Sequence, residues 1–352
     1  MKKNRVLAIL LFMCIAMVFA GGVTTLAEEP PEPEWVLEGE HTIQNERYRA
    51  RSIASGDSLY FIGGQTDPTN YSVKVDIYNT KTKEWTNGAD VPKAIYEPSL
   101  AAYKNKIYVF GGLNGSGEKH DSLYIYDTVT NSWSQGADYP ITNNGMHCAV
   151  VDAKIYAIGG SDDSDGVYIY DIASNTWSQG ADAPSPKVYL AAATAVGKKI
   201  YLAGGYSNAT TQTNSLIIYD TVTDTWVQGA NLPSNVVSAA AVALGDEIYV
   251  IRDNTTSSYI YDTKSDNWRE GLRYKAPVDT ASIIDGKVYA STVRKFGTGN
   301  DNKTIGLYPI YSLQVGEFEP EPEEALLSVL LMINEQVQLS LTHNLADNAN
   351  YN

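Results

Sequence analysis

The sequence has only two cysteines, Cys14 and Cys148. Cys14 falls in an apolar N-terminal run that we expect to be removed on export, which leaves Cys148 as the single thiol of the mature chain. One cysteine cannot form an intramolecular disulfide, although an exported protein would occupy a compartment that permits one. We therefore expect the fold to be stabilised by its hydrophobic core alone.

Basic residues are also scarce. The chain has 26 Lys and Arg against 41 Asp and Glu, and its formal net charge is −15. Removal of residues 1–27 takes away Lys2, Lys3 and Arg5 and no acidic residue, so the charge falls to −18. Because an acidic surface repels phosphate backbones, nucleic acid is excluded as a predicted partner.

The N-terminus has the pattern of a secretory signal. MKKNR is a basic segment, VLAILLFMCIAMVFA is an apolar segment, and Thr25-Leu26-Ala27 provides small residues for cleavage. An uncleaved anchor is the alternative, since the apolar run from Val6 to Val23 could span a bilayer. We predict a signal peptide over residues 1–27 and a secreted or cell-surface location.

Tryptophan is rare as well, yet its few copies are regularly spaced, with successive gaps of 50, 48, 44, 49 and 42 residues. The six positions are Trp35, Trp85, Trp133, Trp177, Trp226 and Trp268. Each lies in a near-copy of IYDTVTNSWSQGADYP or a degenerate version of it. A fixed period of this length indicates a repeat architecture, with each unit dividing into four short strands, a to d.

A di-glycine closes strand b in four of the repeats, upstream of the tryptophan. The residues are Gly63, Gly64, Gly111, Gly112, Gly159, Gly160, Gly204 and Gly205. Glycine accepts positive φ and close backbone approach, which explains its use at a strand end. In the turn between strands c and d, Asp127, Asp171, Asp220 and Asp262 are expected to accept turn amides.

Di-glycine, tyrosine and spaced tryptophan together resemble the kelch repeat of the galactose-oxidase-like superfamily. The resemblance covers roughly residues 33–315 and implies an all-β fold, a six-bladed propeller of four-stranded antiparallel blades. The last repeat lacks a tryptophan strand and the chain start has a lone one, EWVLEGE. We therefore predict that the Trp35 strand closes the sixth blade.

The predicted domains are a signal peptide (1–27), a Pro/Glu linker (28–34), the propeller (35–316), a second Pro/Glu linker (317–324) and a tail (325–352). The tail resembles the opening of a bacterial immunoglobulin-like domain. Its 28 residues are too few for an independent sandwich, so the alternatives are a truncated domain or a segment that docks on the propeller.

A candidate binding site follows from alignment of the repeats. Twelve residues before each strand-b tyrosine, at the start of the innermost strand, lie Tyr48, Tyr96, Asn144, Tyr189, Val237 and Pro277. The tyrosines and Asn144 would suit a sugar or an extended peptide at one mouth of the channel. Packing between blades is the alternative role. Three ionisable candidates lie nearby: His147, Arg49 and Glu97.

Enzymatic alternatives are weaker. Kelch-type copper-radical oxidases need a cysteine–tyrosine cross-link and two histidines, but His147 and Cys148 are adjacent and would point to opposite sides of a strand. Sialic-acid mutarotases need ionisable groups that converge on the channel, for which Arg47, Arg49, Arg51, Glu46 and Glu97 are available. In SDDSDG, Asp163 and Asp165 are weak candidates for calcium. No cofactor is predicted.

The loops between strands b and c differ most among otherwise similar repeats, as expected of a recognition surface on a uniform scaffold. The sequence therefore predicts a non-catalytic extracellular binding or adhesion module. Its partner would be a protein or carbohydrate ligand, with association to the cell surface. The protein is expected to be a monomer.

Overall fold

The structure is a computed structural model. It describes residues 35–39, 50–67, 70–161, 165–184, 190–206, 211–252, 258–271, 278, 280–291 and 310–313, with only the backbone for 35–39, 67 and 310–313. The chain divides into two compact units. One is Pro33–Val315; the other, formed by Met1–Glu32 and Gly316–Asn352, lies outside the described residues, as do the signal peptide, linkers and tail predicted above.

The strands group into four-stranded antiparallel sheets. After β1 (Trp35–Gly39), blade 1 contains β2 (Arg51–Ser55), β3 (Ser58–Ile62), β6 (Val75–Asn79) and β7 (Trp85–Asn87), while β4 (Gln65–Asp67) and β5 (Asn70–Tyr71) form a separate hairpin. Blade 2 contains β8 (Ser99–Tyr103), β9 (Lys106–Phe110), β10 (Leu123–Asp127) and β11 (Ser132–Gln135). Blade 3 contains β12 (His147–Val151), β13 (Lys154–Ile158), β14 (Val167–Asp171) and β15 (Thr176–Gln179).

The remaining sheets continue this order. Blade 4 contains β16 (Ala192–Val196), β17 (Lys199–Ala203), β18 (Leu216–Asp220) and β19 (Thr225–Gly229). Blade 5 contains β20 (Ala240–Leu244), β21 (Glu247–Ile251), β22 (Ser258–Asp262) and β23 (Asn267–Glu270). A composite sheet joins β24 (Thr280–Ile284), β25 (Lys287–Ser291), β26 (Ile310–Leu313) and β1. The innermost strands β2, β8, β12, β16, β20 and β24 lie side by side, and β24 lies beside β2.

The fold-class prediction requires a correction. Only five sheets are regular blades, each built from one continuous segment with a tight turn between its third and fourth strands. The composite sheet is of another kind, because β26 and β1 are far apart in the chain and no such turn can join them. The pairing of β1 with β26 is also irregular, with a register shift between Leu37 and Gly39. Counted as sheets built from one continuous segment, the propeller has five blades, and the prediction of a six-bladed propeller whose sixth blade is closed by the Trp35 strand is therefore wrong.

The second strand of each blade carries most of the core. In β13, for example, every residue after the exposed Lys154 is buried. Such a strand has a neighbouring sheet on both faces, so it reads as a continuous apolar run rather than as an alternating one. The clusters of buried side chains accordingly lie between adjacent sheets. For example, Tyr170 of blade 3 packs with Tyr108 and Phe110 of blade 2.

Adjacent regular blades are joined by a repeated set of hydrogen bonds, which we call the clasp. In blade 3 the turn residue Asn175 accepts from the hydroxyl of Tyr170 (2.6 Å) and from the amide of Ala137 in blade 2 (2.8 Å). The indole Nε1 of Trp177 then donates to the carbonyl of the same Ala137 (2.9 Å). The N–H and the C=O of one alanine are thus both bound by the next blade.

The same clasp recurs at four junctions. The residues that bracket the alanine are Asn131 and Trp133 around Ala89, Asn175 and Trp177 around Ala137, Asp224 and Trp226 around Ala181, and Asp266 and Trp268 around Ala230. Because these residues belong to the repeated sixteen-residue stretch, its repetition has a structural cause.

Candidate binding site at the channel mouth

A cavity of about 340 Å³ opens where the innermost strands begin. We call it the channel mouth. Every inner strand contributes to it, as shown by Arg51, Ser99, His147, Ala193, Ala240 and Thr280. A cavity of this size falls in the range of small-ligand pockets, roughly 300–1,000 Å³.

The lining of the channel mouth is asymmetric. Three of its lining residues carry a basic or acidic side chain, and all three come from blades 1 to 3. They are Arg51, Glu97 and His147. Blades 4 and 5 and the composite sheet contribute mainly small residues. Six of them are Ala191, Ala193, Ala239, Ala240, Ala241 and Ala281. The cavity therefore offers a polar sector opposite a small, weakly apolar one.

His147 is held in one protonation state by its surroundings. Its Nε2 accepts a hydrogen bond from the amide of Ala191, 3.1 Å away in the neighbouring blade. Burial, and secondly the positive charge of Arg51, lower the pKa of His147 to about 4. The ring is thus neutral near pH 7, and since Nε2 accepts, the proton is on Nδ1.

Direct hydrogen bonds between sheets surround the channel mouth. The hydroxyls of Ser52 in blade 1 and Thr280 in the composite sheet are 2.5 Å apart. Ser99 Oγ donates to the carbonyl of Met146 (3.2 Å), which links blades 2 and 3. The amide of Ser238 donates to the carbonyl of Leu190 (2.9 Å), which links the starts of blades 4 and 5. These contacts hold the rim in a fixed shape.

A left-handed residue precedes the inner strand in four successive blades. Glu97, Gly145, Leu190 and Ser238 have φ values of +50°, +70°, +54° and +51°, and all four line the cavity. Outside glycine this conformation is uncommon and unfavourable, and such strain concentrates at binding and active sites. Sequence reasoning missed this feature; Gly145, eleven residues before its strand-b tyrosine, was the signal that could have revealed it.

The structure separates the sequence-based site candidates. Glu97 and His147 line the cavity. Tyr96 instead is buried, with its ring stacked on Tyr71 at 5.0 Å, and its backbone pairs with Leu113. Asn144 is also buried, and its Oδ1 accepts from the hydroxyl of Ser161 at 2.6 Å. Tyr48, Arg49, Tyr189 and Asp163 lie outside the described residues.

Asn143 is a second residue that sequence reasoning missed. It is fully buried, and its Nδ2 donates to the carbonyl of Gly159 at 3.1 Å. A Cβ added at Gly160 would lie 2.5 Å from the Asn143 amide nitrogen, so the di-glycine leaves room for this side chain. The role of Asn143 is to fix the loop beside the cavity, and no spacing in the sequence indicated it.

The described residues form no metal centre around Cys148, and residues 162–164 of the acidic loop lie outside them. Cys148 is a free thiol, and burial raises its pKa to about 12. No group of three or more His, Cys, Asp or Glu side chains is arranged for a metal among the described residues. Asp165 is described through its carbonyl, which accepts from the amide of Ala183. Asp163 and Asp165 stay weak candidates for calcium.

The four-stranded blades, their di-glycine strand ends and their spaced tryptophans define a β-propeller of the kelch type. The sequence profile described as the Attractin/LZTR1 beta-propeller matches residues 59–289, about two thirds of the chain. The protein therefore belongs to the Attractin/LZTR1 beta-propeller family, whose propeller suggests a protein-interaction module. A comparison with curated proteins finds no match.

Two further predictions are not settled by this membership. The wider galactose-oxidase-like superfamily and the immunoglobulin-like tail stay predictions.

Among the described residues, no helix has the length and apolar character needed to cross a bilayer.

Proposed function

We propose that the protein is a non-catalytic binding module of an exported or cell-surface protein, and that it binds a protein ligand at the channel mouth. The observation that carries this proposal is the cavity itself, which all the inner strands line and which holds Arg51, Glu97 and His147 together. Hydrogen bonds between sheets keep its shape, so little ordering would be needed on binding. The divergent loops between strands b and c would extend the contact surface.

A protein ligand is favoured over a glycan by the position of Tyr96. Sugar binding was predicted from flat tyrosine faces at the mouth, and the described member of that tyrosine set is buried against Tyr71. A small cavity with mixed polar and apolar lining suits one or two inserted side chains of a peptide. Glycan binding is therefore tested in parallel with the binding of a protein ligand.

The test is a peptide-display selection against the full chain, with a glycan array run in parallel. The expected result is peptide binders that bind wild-type protein and lose binding to Ala193→Leu and Ala240→Leu, which fill the cavity from two blades. Lys154→Gln, at the opposite end of blade 3, is the matched control and should bind normally. Binders that ignore both cavity-filling variants, or hits only on the glycan array, would contradict the proposal.

An enzyme of the sialic-acid mutarotase kind is the second candidate, and one observation favours it. Such an enzyme needs ionisable groups that converge on the channel, and Arg51, Glu97 and His147 line the same cavity. Exchange between the anomers of N-acetylneuraminic acid, followed by NMR, distinguishes the two. A rate above the uncatalysed one that falls in His147→Gln would replace the binding module with an enzyme.

A further inference from the structure

Arg51 has a special place in the channel mouth. Its side chain lines the cavity, and among the described residues it forms no hydrogen bond or ion pair. Several other described cations are paired with a carboxylate, as Lys74 is with Asp90 and Lys264 with Asp246. A partly buried guanidinium without a carboxylate partner is costly unless a ligand supplies one.

A second donor faces the same space. His147 lines the cavity, and its Nε2 is occupied by the amide of Ala191, so its Nδ1–H remains as a donor. The described hydrogen bonds assign no acceptor to this N–H. The positive charge of Arg51 contributes, after burial, to the lowered pKa of His147. A cation and a neutral N–H donor thus line the same cavity from blades 1 and 3.

Glu97 limits what such a site accepts. It is the described carboxylate of the lining, it stands at the rim in the left-handed conformation, and it already takes part in an interaction. A highly charged anion such as a phosphate would be repelled more strongly than a single carboxylate. The alanines of blades 4 and 5 and of the composite sheet would contact the apolar part of the ligand.

We propose that the channel mouth binds a carboxylate borne by a small apolar peptide side chain or C-terminus, with the guanidinium of Arg51 and the Nδ1–H of His147 as its donors. This inference rests on the proposed function and specifies its ligand. A bidentate guanidinium–carboxylate pair provides strength, and the N–H of His147 provides direction. The small residues opposite restrict the size of the attached group.

The experiment uses three display libraries of short peptides, built on one randomised framework of small apolar residues. The first has a central Glu and an amidated C-terminus, the second a central Gln and a free C-terminal carboxylate, and the third a central Gln and an amide. We expect binders from the first or second library and none from the third. The first and second libraries tell a side-chain carboxylate from a terminal one.

The selected peptides are then measured by calorimetry on full-chain variants. Arg51→Gln should weaken binding by about tenfold or more, since it removes a charge-assisted pair. Arg51→Lys should restore part of the affinity, Glu97→Gln should strengthen binding, and Lys154→Gln should leave it unchanged. Unchanged melting of Arg51→Gln and Arg51→Lys shows that both variants are folded.

The two proposals fail in different ways. If the third library gives cavity-dependent binders as readily as the others, or if Arg51→Gln binds like wild type, the carboxylate inference is overturned and the binding module stands. If no library gives a binder that responds to Ala193→Leu and Ala240→Leu, both are overturned.

Discussion

The junctions between regular blades differ from the junctions of the composite sheet. At the four regular junctions an Asn or Asp of the c–d turn accepts from a tyrosine hydroxyl and from an amide of the preceding blade. At the junction between the composite sheet and blade 1, the equivalent position in the c–d turn of blade 1 is Lys83. A lysine side chain has no hydrogen-bond acceptor. At the other junction no such turn precedes β1. The clasp thus depends on a turn that only a continuous repeat supplies.

This difference shows what the repeat is for. The turn backbone is the same in both cases: Lys83 has φ +63°, close to +55° at Asn175 and +54° at Asp224. The amide of Lys83 also donates to the carbonyl of Asn79, as that of Asn175 does to Asp171. Only the side-chain acceptor is missing. Geometry of the turn and bonding between blades can therefore be varied separately by mutation.

Loss of a clasp tryptophan should have the largest effect. Trp177 packs against Tyr139, Tyr170 and Phe110, with ring centroids 4.9–5.4 Å apart. We expect Trp177→Ala to lower the free energy of unfolding by about 3 kcal/mol, because both ring packing and the bond to Ala137 are lost. Denaturant unfolding measures it.

The control for that variant is Val129→Ala in a c–d turn, where the side chain is 72% exposed. It should change stability by less than about 0.5 kcal/mol. A Trp177→Ala protein as stable as Val129→Ala would contradict the view that the clasp joins the blades.

Acidification should act on the bond between blades 3 and 4 at the channel mouth. The pKa of His147 is about 4 when folded, against 6.5 when unfolded, so the unfolded chain binds more protons between these values. The contribution of His147 to the free energy of unfolding is therefore complete above pH 6.5. It decreases by about 3 kcal/mol between pH 6.5 and pH 4, and protonation of His147 causes no further decrease below pH 4. Thermal melting across pH 4–8 tests it.

His147→Gln is the matched variant, since its amide oxygen can still accept from Ala191. It should flatten the profile between pH 6.5 and 4, with a residual slope from His120, whose pKa is also lowered by burial. An unaltered slope would mean that His147 is not the group responsible. Below pH 4 a separate loss is expected, because turn amides lower the pKa of Asp127 and Asp171.

Removal of one turn acceptor should have a moderate effect. Asn175→Ala removes the side-chain oxygen that accepts from the Tyr170 hydroxyl and the Ala137 amide. Alanine also tolerates the left-handed backbone, here φ +55°, less well than asparagine does. We expect a loss of about 1–2 kcal/mol in unfolding free energy. Asn175→Asp, which copies the turns of blades 4 and 5, should stay close to wild type; equal losses in both variants would point to the backbone instead of the acceptor.

Much of the fold could be predicted from the sequence because the residue pattern of one blade recurs several times along the chain. The turn aspartates are confirmed as caps: Asp127 Oδ1 accepts from the amides of Val129 and Thr130 at 3.0 Å. The predicted number of six blades, with the sixth closed by the Trp35 strand, was wrong, because only five sheets are regular blades. The repeat pattern shows which strands exist, but it does not show that the turn between the third and fourth strands is lost where β26 and β1 meet.

The site was harder to predict, and the reason is local. The alignment selected Tyr96 and Asn144, while the cavity is lined by the next residues, Glu97 and Gly145. A left-handed residue turns the chain at that point, so a shift of one position moves a side chain from the channel into the loop packing. Bonds between blades, such as that of Asn175 to Ala137, join two different copies of the repeat, so the pattern within one copy does not show that these residues meet.

The smallest expected effect is a gain at the junction between the composite sheet and blade 1. Lys83→Asn supplies a turn acceptor like that of the regular blades and suits φ +63° better than lysine does, so stability should rise by about 0.5–1.5 kcal/mol. Lys83→Gly is the control, because it also relieves the backbone and also removes the lysine contacts. The difference between the two variants in denaturant unfolding isolates the acceptor. If glycine stabilises as much as asparagine, this junction holds without a side-chain acceptor, and the clasp is a property of regular blades alone.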